Sequence, residues 1–225
     1  MATVLITGAN RGVGLALATI YAKRGDTVIG AARDPAKAQE LKALGPRVEV
    51  HKLDVTSEAS FAAIAKKLAG RSIDILIANA GIIGPRGGID DENPAALWAN
   101  IMATNVTGPF LTVRALSSNV IAAKGRIAII SSRVGSSSTA SGNLYAYRAS
   151  KAAASNIAVN LAVELKAKGV AVGAYHPGWV QTSMGGAGAD IPAATSAAGL
   201  VARIDALSIA TTGVFQNYDG AQIPF

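Results

Sequence analysis

Thr7-Gly8-Ala9-Asn10-Arg11-Gly12-Val13-Gly14 follows directly on the apolar run Thr3–Thr7 and leads into a helical pattern over residues 12–24. Glycines at 8, 12 and 14 let the backbone turn tightly and come close to a ligand. A helix N-terminus has free N–H groups and a positive dipole end, which together suit a diphosphate. The bland reading is an ordinary strand-to-helix turn, and the spacing is G-x-x-x-G-x-G rather than G-x-G-x-x-G. The position of the turn, after a first strand and before a long helix, favours the ligand-binding reading.

Outward from this turn, short β-branched runs alternate with longer helical patterns. The runs are Thr3–Thr7, Thr27–Ala32, Val48–Leu53, Ile73–Ala78, Arg126–Ser131, Val170–Tyr175 and Gly213–Gln216. Most are continuously apolar, as parallel strands covered on both faces must be. Helices are expected near 12–24, 35–44, 57–70, 95–123, 144–168 and 193–207. Asp34-Pro35 and Thr56-Ser57 supply start signals, and Lys23-Arg24-Gly25 and Lys168-Gly169 supply stop signals. The pattern predicts one α/β domain over residues 1–225: a Rossmann-type, doubly wound parallel sheet of about seven strands, order 3-2-1-4-5-6-7, with helices on both faces. Ser131–Asn143 and Pro177–Ile191 are irregular and follow strand ends, where open α/β sheets bind ligands.

Composition narrows the function. The residues are 50% hydrophobic, 16% charged and only 5% aromatic, so small aliphatic side chains fill the core. The net charge of +7 comes from scattered Lys and Arg without basic runs or interleaved aromatics, which argues against nucleic acid and for a small anionic ligand. There is no Cys, which excludes thiolate catalysis, disulfides and Cys-bound zinc. His51 and His176 lie too far apart in sequence for metal-ligand spacing, so no metal is expected. His176 reads as a hydrogen-bonded strand-end residue rather than a catalyst. Residues 93–113 carry no charge but are broken by Asn100, Thr104, Asn105, Thr107, Gly108 and Pro109, which reads as buried helix rather than membrane span. The N-terminus lacks a signal-peptide pattern, so a cytoplasmic protein is expected.

The second strand ends Ala31-Ala32-Arg33, without the carboxylate that would hold a ribose 2′-hydroxyl. Arg33 and Arg11 suit a 2′-phosphate instead, which favours NADP(H) while leaving NAD(H) open. Asp54 of Leu53-Asp54-Val55 suits either the adenine edge or the cap of the next helix. Tyr147 and Lys151 are four residues apart in a helical segment and share a face. A neighbouring ammonium would favour the phenolate and bring Tyr147 into range as an acid/base. A chance Tyr/Lys pair is the competing reading.

TGANRGVG at 7–14, LDV at 53–55, NAG at 79–81, NVTG with Asn105, SS at 131–132, YRASK at 147–151 and HPGWVQT at 176–182 together resemble the short-chain dehydrogenase/reductase family. SSRVGS, HPGWVQTSMGG and the ending YDGAQIPF are similar to its single-domain, C-factor-like carbonyl reductase subgroup. The resemblance implies Tyr147 as general acid/base and Lys151 on the nicotinamide ribose. It implies Ser132 on the substrate oxygen and Asn105 holding a water in a proton relay. Asn79, Ala80 and Gly81 would line the adenosine side. Pro177, Gly178, Val180 and Thr182 would hold the carboxamide. Ser132 lies fifteen residues before Tyr147, two more than the family's usual spacing, with Ser131, Ser136, Ser137 and Ser138 nearby. Ala78 stands where the family more often has Asn.

Arg133, Leu144, Tyr145, Trp179 and Met184 are candidate lining for a short, open mouth and hint at a hydrophobic carbonyl or alcohol substrate. Trp179 and Leu144 as core and Arg133 as a solvated charge are the competing readings. The Ala-rich segments 95–123 and 144–168 offer faces for a homodimer or homotetramer. A non-catalytic nucleotide sensor or signalling protein on the same fold is the alternative function.

Overall fold

The structure is a computed structural model describing residues 1–225. β1 (Thr3–Thr7), β2 (Thr27–Ala32), β3 (Val48–Lys52), β4 (Ile75–Ala78), β5 (Arg126–Ile130) and β6 (Ala171–His176) are joined by β9 (Phe215–Asn217). All seven pair in parallel in the order β3-β2-β1-β4-β5-β6-β9. The intervening β7 (Val180–Gln181) and β8 (Ile191–Pro192) form a separate two-stranded piece, so the main sheet has the expected 3-2-1-4-5-6-7 order. β7 and β8 bridge the base of a loop that the sequence presents as wholly irregular.

Helices cover both faces because the parallel strands are apolar on both. On one side α1 (Gly12–Lys23), α2 (Gln39–Lys42) and α7 (Ala193–Ala206) bury Leu17, Tyr21, Leu41, Leu200 and Ile204 against Val4, Ile6, Val28 and Ile77. On the other, α3 (Glu58–Lys67), α5 (Gly108–Ala122) and α6 (Tyr145–Lys166) bury Phe61, Ile64, Leu116 and Leu161 against Leu5, Ile29, Leu76 and Ile127. Each fully buried aliphatic side chain contributes about 1.5–3 kcal/mol. Gly25 and Gly169 close their helices with φ of +86° and +78°, where the stop signals put them. No helix is long and apolar enough to cross a membrane.

Two helices depart from expectation, and at a third the Thr56-Ser57 start signal holds while one of the two readings of Asp54 falls. The 35–44 segment is not one helix but a 3-10 turn, Pro35–Lys37, followed by the single turn of α2. Asp34 caps the 3-10 turn, accepting from Ala36 N at 3.1 Å. The 95–123 segment runs as α4 (Ala95–Met102), a π turn (Ala103–Thr107) and α5. Pro109 has no N–H to give the carbonyl four residues back, at Asn105, and the helix widens there. Asp54 does not cap α3; Ser57 does, accepting from Ser60 N at 3.3 Å.

Candidate active site

The opening turn is fixed by sterics. Gly8 and Gly12 have φ of +65° and +55°. A Cβ on Gly14 would lie 2.3 Å from Gly8 O and 2.6 Å from Asn79 Nδ2, so a side chain there has no room. Thr7 Oγ1 accepts from both Asn79 N and Ala80 N at 3.0 Å. Asn79 Nδ2 donates back to Thr7 O at 2.9 Å and Gly8 O at 3.3 Å. The NAG segment thus clamps the glycine loop. At the head of α1, Arg11 makes no capping bond with its side chain, and no acidic residue occupies the first turn. Asn10 belongs to the same turn, and Val13 and Gly14 to the first turn of α1. These residues fit a diphosphate on main-chain donors.

The surface beyond the end of β2 is cationic. Arg33 is exposed beyond β2 and forms no ion pair. Asp54 Oδ1 accepts from Thr56 Oγ1 at 2.7 Å and Thr56 N at 3.0 Å. Those bonds, more than the nearby Arg33 and Lys52, hold its carboxyl below the usual range. Val55 is buried and packs against Gly108, where a Cβ would come within 3.1 Å of it.

At the far end, Tyr147 and Lys151 stand on the first turns of α6, with Lys151 Nζ 5.6 Å from the Tyr147 ring centroid. Lys151 Nζ donates to Ile130 O at 2.9 Å. Of the two adjacent serines, Ser132 is the one whose hydroxyl acts on the Tyr147 phenol, and its Oγ also accepts from Val134 N at 3.4 Å. Ser131 faces away, with its Oγ 2.9 Å from Lys151 O and 2.7 Å from Ser155 Oγ. Ser136, Ser137 and Ser138 lie in a second small turn, and Ser136 and Ser138 bond each other at 2.8 Å. The two-residue excess before Tyr147 is folded into two 3-10 turns, Arg133–Gly135 and Ser137–Thr139.

Burial, not the ammonium, governs the phenol. It lifts Tyr147 to about 12, against a smaller opposing effect of the Ser132 hydroxyl. The same desolvation pushes Lys151 down to about 8. The expected lowering of the tyrosine by its lysine is therefore overturned for the protein alone: the phenol stays protonated at neutral pH. His176 also departs from expectation. It is buried, its Nδ1 has no hydrogen-bond partner, and desolvation drops it to about 4.

Asn105 sits in the π turn. Its Nδ2 donates to Ile82 O at 2.8 Å and Ser150 Oγ at 3.0 Å, and its Oδ1 accepts from Ile82 N at 2.8 Å. Gly81 lies between the two halves of the site. A Cβ there would sit 3.3 Å from Asn105 Oδ1 and 3.5 Å from Lys151 Nζ. The sequence points to Asn79, Gly81 and Lys151, but not to the Thr7 clamp or to Ser150, which links Asn105 to Tyr147 O. Ser150 was readable only as a member of the YRASK block.

The 177–182 turn is braced from behind. Ser196 Oγ donates to Pro177 O at 2.5 Å. Gly178 has φ of +84° and packs under Ile191 and Tyr218. Val180 is buried in β7, and the Thr182 methyl lies 3.3 Å from where a Cβ on Gly12 would be. The 177–182 turn thus lies against the glycine loop. An open groove of about 710 Å³ runs outside this junction, between α1 and residues 181–194.

The mouth is less tightly built. Trp179, Met184, Tyr145 and Arg133 are exposed. Trp179 Nε1 donates to Gly185 O at 2.9 Å, so the indole lies on the loop rather than in the core. Leu144 is half-buried in a left-handed conformation, φ +54°, and caps α6 with its N–H on Gly87 O at 3.2 Å.

A family model described as short chain dehydrogenase matches residues 2–190. A 1-hydroxy-2-glutathionyl-2-methyl-3-butene dehydrogenase of Rhodococcus sp. strain AD45 is 34% identical over 229 residues, covering 98% of each chain. The carbonyl reductase Sniffer of D. melanogaster superposes with a TM-score of 0.94 at 27% identity, covering 100% of both chains. An NADPH-bound carbonyl reductase from chicken fatty liver gives 0.91 at 30% identity, covering 100% of this chain and 99% of the other.

Proposed function

The chain belongs to the short-chain dehydrogenase family, and on that premise we propose that it is an NADP(H)-dependent carbonyl reductase in which Tyr147 is the general acid/base. The observation that supports the residue assignment is the placement of Tyr147 and Lys151 together at the head of α6, with the Ser132 hydroxyl acting on the phenol and Gly81, next to the Asn79 clamp of the glycine loop, lying against Lys151 Nζ.

NADPH, when bound, would supply the hydride for the carbonyl carbon. The protein's share is to bind, orient and protonate. Main-chain donors at residues 12–14 would take the diphosphate, Arg11 and Arg33 the 2′-phosphate, and Asp54 the adenine edge. Ser132 donates to the substrate oxygen. Tyr147 delivers the proton to that oxygen, and its protonated phenol is the form that reduction requires. Lys151 has three N–H donors, one of them on Ile130 O, and the others serve the ribose hydroxyls. The Asn105 amide is engaged with Ile82 and Ser150. A relay water at this turn would then have to use the main-chain carbonyl of Asn105, to which Pro109 offers no N–H.

The substrate is a small carbonyl compound or alcohol, and the exposed Trp179, Met184 and Tyr145 support an apolar body for it. Phe110 on α5 and Val163 on α6 are exposed on the outer faces of those helices and support pairing with a second copy. The test is Tyr147→Phe. NADPH oxidation with a panel of aldehydes and ketones falls by about 10²–10⁴-fold, while NADPH affinity holds within a few-fold. Full turnover by the purified variant would remove Tyr147 from the chemistry.

A further inference from the structure

The head of α6 carries both Tyr147 and Lys151, yet its own end does little to hold it. Leu144, in the N-cap position, makes no side-chain bond to the first turn, and its N–H reaches only Gly87 O, in the mouth, at 3.2 Å. The first N–H groups of a helix have no partner within it, so an uncapped first turn is free to shift unless something outside pins it. On the side of β5 and the turn that follows, the ties are several. Lys151 Nζ donates to Ile130 O and Ser131 Oγ to Lys151 O, both at 2.9 Å, and Arg148 Nη1 donates to Val134 O at 3.0 Å. On the side of the π turn there is a single hydrogen bond, from Asn105 Nδ2 to Ser150 Oγ at 3.0 Å.

That bond is built with a fixed direction. Ser150 is wholly buried and Asn105 is 1% exposed. The Ser150 hydroxyl donates its one proton back along the helix to Tyr147 O at 2.7 Å. Its lone pairs are then all that it can offer the π turn. Asn105 meets them with an N–H because Ile82 sets the polarity of the amide: Nδ2 donates to Ile82 O and Oδ1 accepts from Ile82 N, both at 2.8 Å. The second Nδ2 proton goes to Ser150. The chain runs one way, from the Asn105 amide through Ser150 to the carbonyl of Tyr147, and bonds aligned in this manner strengthen one another. Gly81 shows how narrow the gap beside it is. A Cβ there would lie 3.3 Å from Asn105 Oδ1 and 3.5 Å from Lys151 Nζ.

We propose that Ser150 is a positioning residue for the reduction, fixing the register of the Tyr147 turn against the π turn through Asn105. This rests on the carbonyl-reductase reading and deepens it. The Ser150 hydroxyl bonds neither the phenol nor the ammonium; it acts through the main chain of one catalytic residue and the amide of another. Proton transfer is sensitive to such register, since a misplacement of about 1 Å costs up to about 10²-fold in rate. Alanine at this position preserves the helix, being its best former, but leaves an Asn105 proton buried without an acceptor and the Tyr147 turn untied on this side.

The test follows NADPH oxidation with an aldehyde that the wild type reduces, for Ser150→Ala, Ser150→Thr and Thr112→Val. Thr112 is the control: its buried hydroxyl bonds Gly108 O at 2.8 Å on α5, away from Tyr147 and Lys151. Ser150→Ala lowers kcat about 10-fold, the size of one or two lost hydrogen bonds, while the Kd for NADPH and the KM for the aldehyde change by less than about two-fold. Ser150→Thr keeps the hydroxyl and recovers most of kcat. Thr112→Val lowers the melting temperature and leaves kcat unchanged. Adding Ser150→Ala to Asn105→Ala lowers kcat no further, because the two residues form one link. Circular dichroism identifies a variant that has failed to fold; should that be Ser150→Thr or Asn105→Ala, Ser150→Ala against Thr112→Val decides alone. Wild-type kcat in Ser150→Ala, an equal loss in Thr112→Val, or an additive double variant would overturn the proposal while leaving the reductase intact. A wild type that reduces no aldehyde would strike instead at the reductase reading itself.

Discussion

The two ends of the cleft are built on different principles. At the glycine loop the backbone has almost no freedom: Gly14 is walled in by Gly8 O and Asn79 Nδ2, and Thr7 ties two strand ends together. At the mouth, residues 83–94 and 182–190 are held to distant parts of the chain by few bonds, such as Leu144 N to Gly87 O at 3.2 Å and Arg86 to Gly185 O at 3.5 Å. One end must fit a group common to every reaction the fold supports. The other must fit one substrate and release it. Rigidity at the first and looseness at the second follow from those tasks.

The sharpest way to break this contrast is Gly14→Ala. A methyl 2.3 Å from a carbonyl oxygen forces the main chain of the loop to move. We expect NADPH affinity to fall at least 100-fold and stability to drop by about 3 kcal/mol, within the range for strained overpacking. Gly188, in the mouth, has nothing within 4 Å of its would-be Cβ, and Gly188→Ala should change neither. Fluorescence titration with NADPH and thermal melts decide it, and similar behaviour of the two variants would erase the distinction.

Lys151 gives the next largest effect. Its folded pKa, about 8, is depressed from 10.5 because burial disfavours the charge. Between those values the unfolded chain binds more protons than the folded one, so stability rises with pH across that window. Relative to Lys151→Met, the wild type should gain up to about 3 kcal/mol between pH 8 and pH 10.5. Denaturant melts at stepped pH measure the gain. A flat difference between the two proteins would mean that the ammonium is solvated.

Thr7→Val keeps the shape of the strand end but removes the acceptor for two N–H groups. Leaving one buried donor unsatisfied costs about 1–3 kcal/mol, and the loss should reach NADPH binding through the Asn79 clamp. Thr7→Ser should be nearly silent. Equal melts and equal NADPH affinity for all three proteins would show that the clamp does not stiffen the loop.

The same contrast explains what could be read in advance. The sheet order and the glycine loop were legible because they rest on patterns with a fixed physical cause: apolar runs for parallel strands, and glycines where a Cβ has no room. The broken helix at 35–44 was not, because the docking of Leu41 onto Gly30 is a tertiary contact without a sequence period. The state of Tyr147 was misread because spacing reveals the nearby ammonium but not the depth of burial that outweighs it. Likewise His176 looked like an ordinary bonded histidine, and only coordinates expose its orphan nitrogen.

The smallest expected effect tests the loose end from inside. Trp179→Phe removes one donor from Gly185 O while keeping an aromatic ring at the mouth. The bond is exposed, so water replaces it, and stability should change by no more than about 0.5 kcal/mol. Gly185 itself is another matter, since a Cβ there would lie 2.0 Å from Val180 O. If Trp179→Phe melts like the wild type while Gly185→Ala alters both melting and KM, the mouth is a mobile rim hinged on one sterically obligate turn. If Trp179→Phe proves as costly as Thr7→Val, the indole is a structural strut and the two ends are equally rigid.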